Sequence, residues 1–160
     1  MWIEGSSSVH PIHSTTTGLE GWIDLRLTDA GRPDLRTALS ARIEFPVSRL
    51  RSSNPLEDRE LRRRIDARNH PTIEGALTTI VKADEPGRFA VTGDVTFRGV
   101  TRPHADLMDV ELLDDGSLHL GGRSYFDIRE FGMEPPRILM LRVDPVVEVI
   151  IDVIAAPEEV

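Results

Sequence analysis

Asp127 and Glu130 stand three residues apart and could pair as acid and base, as general acid–base chemistry requires. A turn capped by an aspartate explains the same pair more simply. His10 and His13 share that spacing, which suits two metal ligands on a helix, but Pro11 between them argues against a helix. His70 precedes a proline, and His104 and His119 read as loop or outward strand positions. The histidines are therefore expected at the surface rather than on a metal. No Gly-x-Ser-x-Gly occurs, so Ser14, Ser52 and Ser124 read as ordinary strand or cap residues. Cysteine is absent, which removes disulfides, cysteine nucleophiles and thiolate metal sites. Neither a Gly-x-Gly-x-x-Gly nor a Walker sequence supports nucleotide binding. No catalytic motif and no cofactor emerge, and the reading is of a chain that is not an enzyme.

The bulk numbers narrow the partners. With 160 residues, 39% hydrophobic and 29% charged, the chain is expected to form one globular domain over residues 1–160. A net charge of −8 opposes nucleic acid. The one basic cluster, Arg59, Arg62, Arg63 and Arg64, is diluted by Glu57, Asp58, Glu60 and Asp66 and reads as a solvated helix face. No stretch approaches the ~20 apolar residues of a membrane span. The first residues lack the basic start and apolar run of an export signal, so a cytoplasmic location is expected.

The elements that must position any site are strands. Apolar residues recur at every second position in Ile23–Leu25–Leu27, in Leu39–Ala41–Ile43–Phe45–Val47, and in Phe89–Val91–Val95–Phe97, where Gly93 keeps the phase. Leu118, Leu120, Phe126 and Ile128 keep phase across Gly122 and Ser124. The run from Ile73 to Val81 is less clean, because Ile80 and Val81 are adjacent. In the last run Val147, Val149, Ile151 and Val153 share one side, while Ile150 and Ile154 make the other side partly apolar as well. A helix or the second subunit of a homodimer could cover that outer side. Gly99 is expected to bend the chain, and Pro103 to change the pairing there. Asp29–Pro33, Asp84–Gly87 and Asp114–Gly116 carry turn residues of the kind that join antiparallel neighbours.

One helix is marked by Asn54 as cap, Pro55 at its first position and Glu57 placed to complete a capping box. Leu61 and Ile65 give it a narrow apolar stripe, and His70-Pro71 is expected to end it. A short helix or turn is expected near Arg129–Gly132. The fold class is mainly β: antiparallel strands with one inserted capped helix, as a closed barrel or a sandwich.

The segment Gly93-Asp-Val-Thr-Phe-Arg-Gly-Val-Thr-Arg-Pro103 resembles the hallmark of the YceI-like family. Asp66–Ile73, with its histidine, proline and isoleucine, is similar to that family's entry into the next strand. Phe126–Pro136 resembles its late aspartate–phenylalanine–glycine segment, and the strand after Val143-Asp144-Pro145 its last one. The likeness runs from about Leu39 to Ala155. The N-terminus departs from the pattern, since Ser6–Ser14 is polar and interrupted by Pro11. The resemblance implies a lipocalin-like barrel of about eight strands that binds a long apolar lipid of isoprenoid type.

Strand phase puts Phe45, Leu77, Val95, Phe97, Phe126, Ile128, Val149 and Ile151 on the faces that would line such a barrel. A barrel of this size either fills its interior with side chains or holds one small ligand. The resemblance favours the ligand, an apolar lipid held mainly by burial. Two rivals stand beside that reading. One is an enzyme acting on such a lipid through Asp127, Glu130 or a histidine. The other is a filled barrel that works as an interaction or stress-related module.

Overall fold

The computed structural model describes residues 2–6, 11–15, 19–24, 26, 28–30, 40–49, 55–134, 137–138, 141–142 and 145–156. In chain order these form β1 (Trp2–Ser6), β2 (Pro11–Thr15), β3 (Glu20–Asp24), β4 (Ser40–Pro46), α1 (Pro55–Ile65) and β5 (Thr72–Lys82). There follow β6 (Arg88–Phe97), β7 (Val100–Leu112), β8 (Leu118–Asp127), β9 (Arg137–Ile138), β10 (Leu141–Arg142) and β11 (Val146–Ala155). Nine strands make one antiparallel sheet in the order β2-β1-β11-β8-β7-β6-β5-β4-β3, and β9 and β10 pair separately. Among the described residues no ladder joins β2 to β3. Phe45 of β4 and Val147 of β11 nevertheless meet in one apolar cluster, so the sheet curls into an open barrel.

The expected alternation sets the register. Phe45 lies opposite Ile73, Gly75 opposite Val95, and Phe97 opposite Val100. Across the sheet Phe126 faces Val147, and Ser124 faces Val149. Partners directly opposite share a face, so these residues all point to the concave side. The irregular run in β5 is a bulge: the register shifts between Leu77 and Thr79, which turns Ile80 to the same side as Leu77.

The turns follow from backbone chemistry. Arg98 and Gly99, at φ 57° and 73°, form the two-residue hairpin between β6 and β7. A Cβ on Gly99 would also lie 2.6 Å from the imidazole of His70. The Asp84–Gly87 and Asp114–Gly116 turns lie where the sequence places them. In the Asp29–Pro33 turn only Asp29 and Ala30 are described.

Several expectations need correction. Pro103 does not interrupt pairing with β6, which runs unbroken from Val100 to Asp109. The β7–β8 ladder begins only at Asp109, so Pro103 sits where β7 has no ladder partner in β8 and a missing N–H is tolerated. Val47 is not a strand residue; it starts a 3₁₀ turn, Val47–Arg49, and is fully buried. Pro11 does not break the N-terminal segment but opens β2, a place where proline is accepted. The helix ends at Asp66, not at Pro71. Asp66 adopts φ 57°, and the N–H groups of Asp66 and Ala67 bond to the carbonyls of Arg63 and Arg62. Leu25, Leu27, Leu39, Ser52 and the expected cap Asn54 lie outside the described residues, as does the side chain of Glu57.

Helix α1 seals one end of the curled sheet. Ile65, 2% exposed, packs with Phe45, Val47, Ile128 and Met133, and Leu61 rests against them. Two arginines of its charged face bind within the helix: Arg63 and Arg64 both donate to Glu60 and hold its carboxyl down to about 2. Because Ile65 is 2% exposed within this apolar cluster, Ile65→Ala should cost about 2–5 kcal/mol in urea unfolding. A loss below about 1 kcal/mol would show that α1 does not plug the barrel end.

Candidate functional site

The concave face is packed at one end and left partly uncovered along its middle. At the α1 end Phe45, Ile128, Phe131 and Met133 are buried, and the Phe97 ring meets that of Phe131 edge to face at 5.6 Å. Farther along, the inward apolar residues Leu77, Val91, Val95, Met108, Val149 and Ile151 are only half-buried. A filled core would have closed over them.

All the residues expected to line the interior fall on this side or at its sealed end. By register Leu77, Val95, Phe126, Val149 and Ile151 stand half-buried on the concave side, and Phe97 packs against the plug. Phe45 and Ile128 belong to the packed plug itself. Period two identifies a face but not the level along the barrel, so sequence alone could not separate these groups.

A polar cluster sits among the apolar residues. By register His104 lies opposite Gly93, and Asp106 opposite Val91, on the concave face. His104 therefore does not point outward as expected; the alternation from Val100 continues through Pro103 and turns it in. Its ring stacks on Phe126 with centroids 4.1 Å apart. The imidazole Nε2 lies 2.7 Å from Asp106 Oδ2 and 2.7 Å from Ser124 Oγ. Ser124 Oγ also donates to Asp106 Oδ2, and Ser124 is 2% exposed. His104 and Asp106 keep 26% and 29% side-chain exposure. A serine–histidine relay needs the carboxylate on the other ring nitrogen. Both partners share Nε2, so the arrangement holds a polar group and does not activate Ser124. The period-two phase of His104, Asp106, Met108 and Val110 was the signal for this cluster in the sequence.

The other candidates for chemistry lie apart. Asp127 caps a 3₁₀ turn, Ile128–Phe131, accepting from the Arg129 N–H at 3.0 Å and from its guanidinium at 2.6 Å. Gly132, at φ 71°, ends that turn, and its carbonyl accepts from Arg98 of the β6–β7 hairpin. Glu130 is exposed and makes no pair with Asp127. His119 is on the outer face, 2.6 Å from Asp152. His10 lies outside the described residues, as does the His13 side chain. Among the described residues no three His, Asp or Glu side chains converge as metal ligands, and no helix is long and apolar enough to cross a membrane. An open cleft of about 880 Å³ lies on the outer face, over Ala105, Leu107, Tyr125 and Ile150, and reaches Asp106, Gly122 and Ile151.

The chain belongs to the YceI-like family: the model of the YceI-like domain matches residues 5–155. The crystal structure of Burkholderia cenocepacia BcnA shares the fold with a TM-score of 0.78 at 14% identity, over 97% of this chain and 96% of that one. The YceI protein of Campylobacter jejuni superimposes with a TM-score of 0.71 at 15% identity, over 91% and 85% of the two chains. A polyisoprenoid-binding domain from Saccharophagus degradans, implicated in plant cell wall breakdown, gives 0.73 at 11% identity, over 98% and 94%. No curated protein matches the sequence.

The Arg129 guanidinium, with its backbone N–H, holds the Asp127 carboxyl below the usual carboxylate range. A lowered carboxyl contributes stability that is complete above its unfolded value of about 4 and lost as pH falls through the folded value. The Asp127 carboxyl should therefore titrate below about 4 in carbon-detected NMR, and Arg129→Ala should move it back up. An unshifted Asp127 would contradict the cap geometry.

Proposed function

We propose that this chain binds or carries an apolar lipid of isoprenoid type along the concave face of its barrel, as one domain over residues 1–160. One observation carries the reading: the inward apolar side chains of β5, β6, β7, β8 and β11 stay half-buried, while one end of the barrel is closed. Apolar surface left inside a curled sheet favours an apolar guest, at ~0.8 kcal/mol for each CH₂ it buries. The likeness to a polyisoprenoid-binding domain supports the same guest. The role is binding rather than catalysis, because the inward polar groups hold one another and form no relay. Lining falls to Leu77, Val95, Phe97, Phe126, Val149 and Ile151, with Phe45 and Ile128 as the floor.

A homodimer through the outer face of β11 belongs to the same proposal. Ile154 is 64% exposed there, Ile150 is half-buried, and α1 packs at the barrel end rather than over them.

Val149→Trp tests the hollow directly. In free space the indole takes the place of about two methylenes of guest, so affinity for a fluorescent prenyl probe should fall about tenfold. Stability should change by less than about 1 kcal/mol, whereas a filled interior would be overpacked at a cost of about 1–3 kcal/mol. A large stability loss, in a wild type that binds no prenyl probe, would overturn the proposal.

A further inference from the structure

We infer that His104, Asp106 and Ser124 anchor the head of an amphipathic guest, and that this head is an uncharged O–H or N–H donor. The inference rests on the lipid-binding reading and adds the chemistry of the guest's polar end.

The hydrogen-bond inventory of the cluster carries the argument. A carboxylate oxygen only accepts, so Ser124 Oγ and the His104 Nε2, 2.7 Å from Asp106 Oδ2, are assigned as its donors, which puts the imidazole proton on Nε2. With one proton on the imidazole, that uses both donors of the cluster. Two acceptors are left over: Asp106 Oδ1 and the Nδ1 lone pair of His104, neither of which meets a donor among the described residues. Both side chains stand on the concave face by register and keep more than a quarter of their surface open, whereas Ser124 is sealed; Asp106 also borders the outer cleft. What the cluster presents to the hollow is therefore acceptor capacity beside a carboxylate. A hydroxyl or amide hydrogen satisfies it. An ether or hydrocarbon leaves it bare, and a phosphate meets a like charge. The placement suits a tail as well. Val91, Val149 and Phe126 flank the cluster, so a head fixed at Asp106 lets its chain run over half-buried apolar surface on either side. Arg102 is the cation nearest in register on this face. It is exposed and donates to the Thr101 carbonyl at 3.1 Å.

The experiment compares three guests of one length on the purified full chain: geranylgeraniol, its methyl ether and its monophosphate. Wild type should bind the alcohol about tenfold more tightly than the ether, the ratio expected of one hydrogen bond to a charged acceptor. The phosphate should bind more weakly than the alcohol. Asp106→Asn keeps the shape, but its oxygen is claimed by Ser124 and its amide turns a donor toward the hollow. The alcohol-to-ether ratio should then fall to within about twofold, with ether binding no weaker than in wild type. His104→Phe keeps the stack on Phe126, removes Nδ1, and should lower the same ratio. Retained ether binding reports an intact fold in both variants. Equal wild-type affinity for alcohol and ether would overturn the anchor and leave the lipid reading standing. Tighter binding of the phosphate would overturn it in favour of Arg102. Failure of all three guests to bind at micromolar concentrations would remove the lipid reading and the anchor with it.

Discussion

Phe45, Val47, Ile65, Ile128 and Met133 form an apolar knot on which the rest of the structure depends. In a flat sheet β4 and β11 would lie five strand spacings apart, roughly 24 Å. The knot reaches across that distance: Phe45 comes from β4, Val147 packs on it from β11, and Ile65 and Leu61 of α1 drop in between. Curling and sealing are thus one event. The helix that plugs the end also draws the two flanks of the sheet together. Among the described residues nothing comparable fills the concavity beyond the plug, and the inward valines, leucines and isoleucines stay half-covered. The hollow is what remains when a sheet is curled from one end only.

The polar cluster fits into this picture as a second seam. Backbone pairing between β7 and β8 covers only Asp109–Leu112 against Leu118–Gly121. Past that point the strands are bridged by side chains, with Ser124 of β8 bonded to Asp106 and His104 of β7. Polar groups turned into an apolar concavity are costly unless they are bonded. Ser124 and Nε2 meet that condition inside the cluster. The same side chains thereby join two strands and set polar groups among the apolar residues of the inner face.

Much of this architecture was legible in the sequence, and what was missed has physical reasons. Alternation revealed the faces of β4, β6, β8 and β11, and Asp127 was readable as a cap. The adjacent Ile80 and Val81 were the mark of the bulge that restores the phase of β5. Pro103 misled, because a residue that cannot donate reads as a strand breaker. It sits on a stretch of β7 with no ladder partner in β8, so the strand runs through it and carries His104 inward. The helix end misled in a similar way: the proline at 71 hid the left-handed Asp66 that stops α1 a turn earlier. Which lining residues are floor and which are wall depends on where α1 docks, and that is a tertiary fact no strand period contains.

The central claim is that the guest lies on the concave face and not in the open cleft on the outside. Intermolecular NOEs between a bound prenyl chain and methyl-labelled protein read this directly. The account predicts cross-peaks to Leu77, Val95 and Val149, and none to Leu107, Ile150 or Ile154. Cross-peaks confined to the outer set would contradict it.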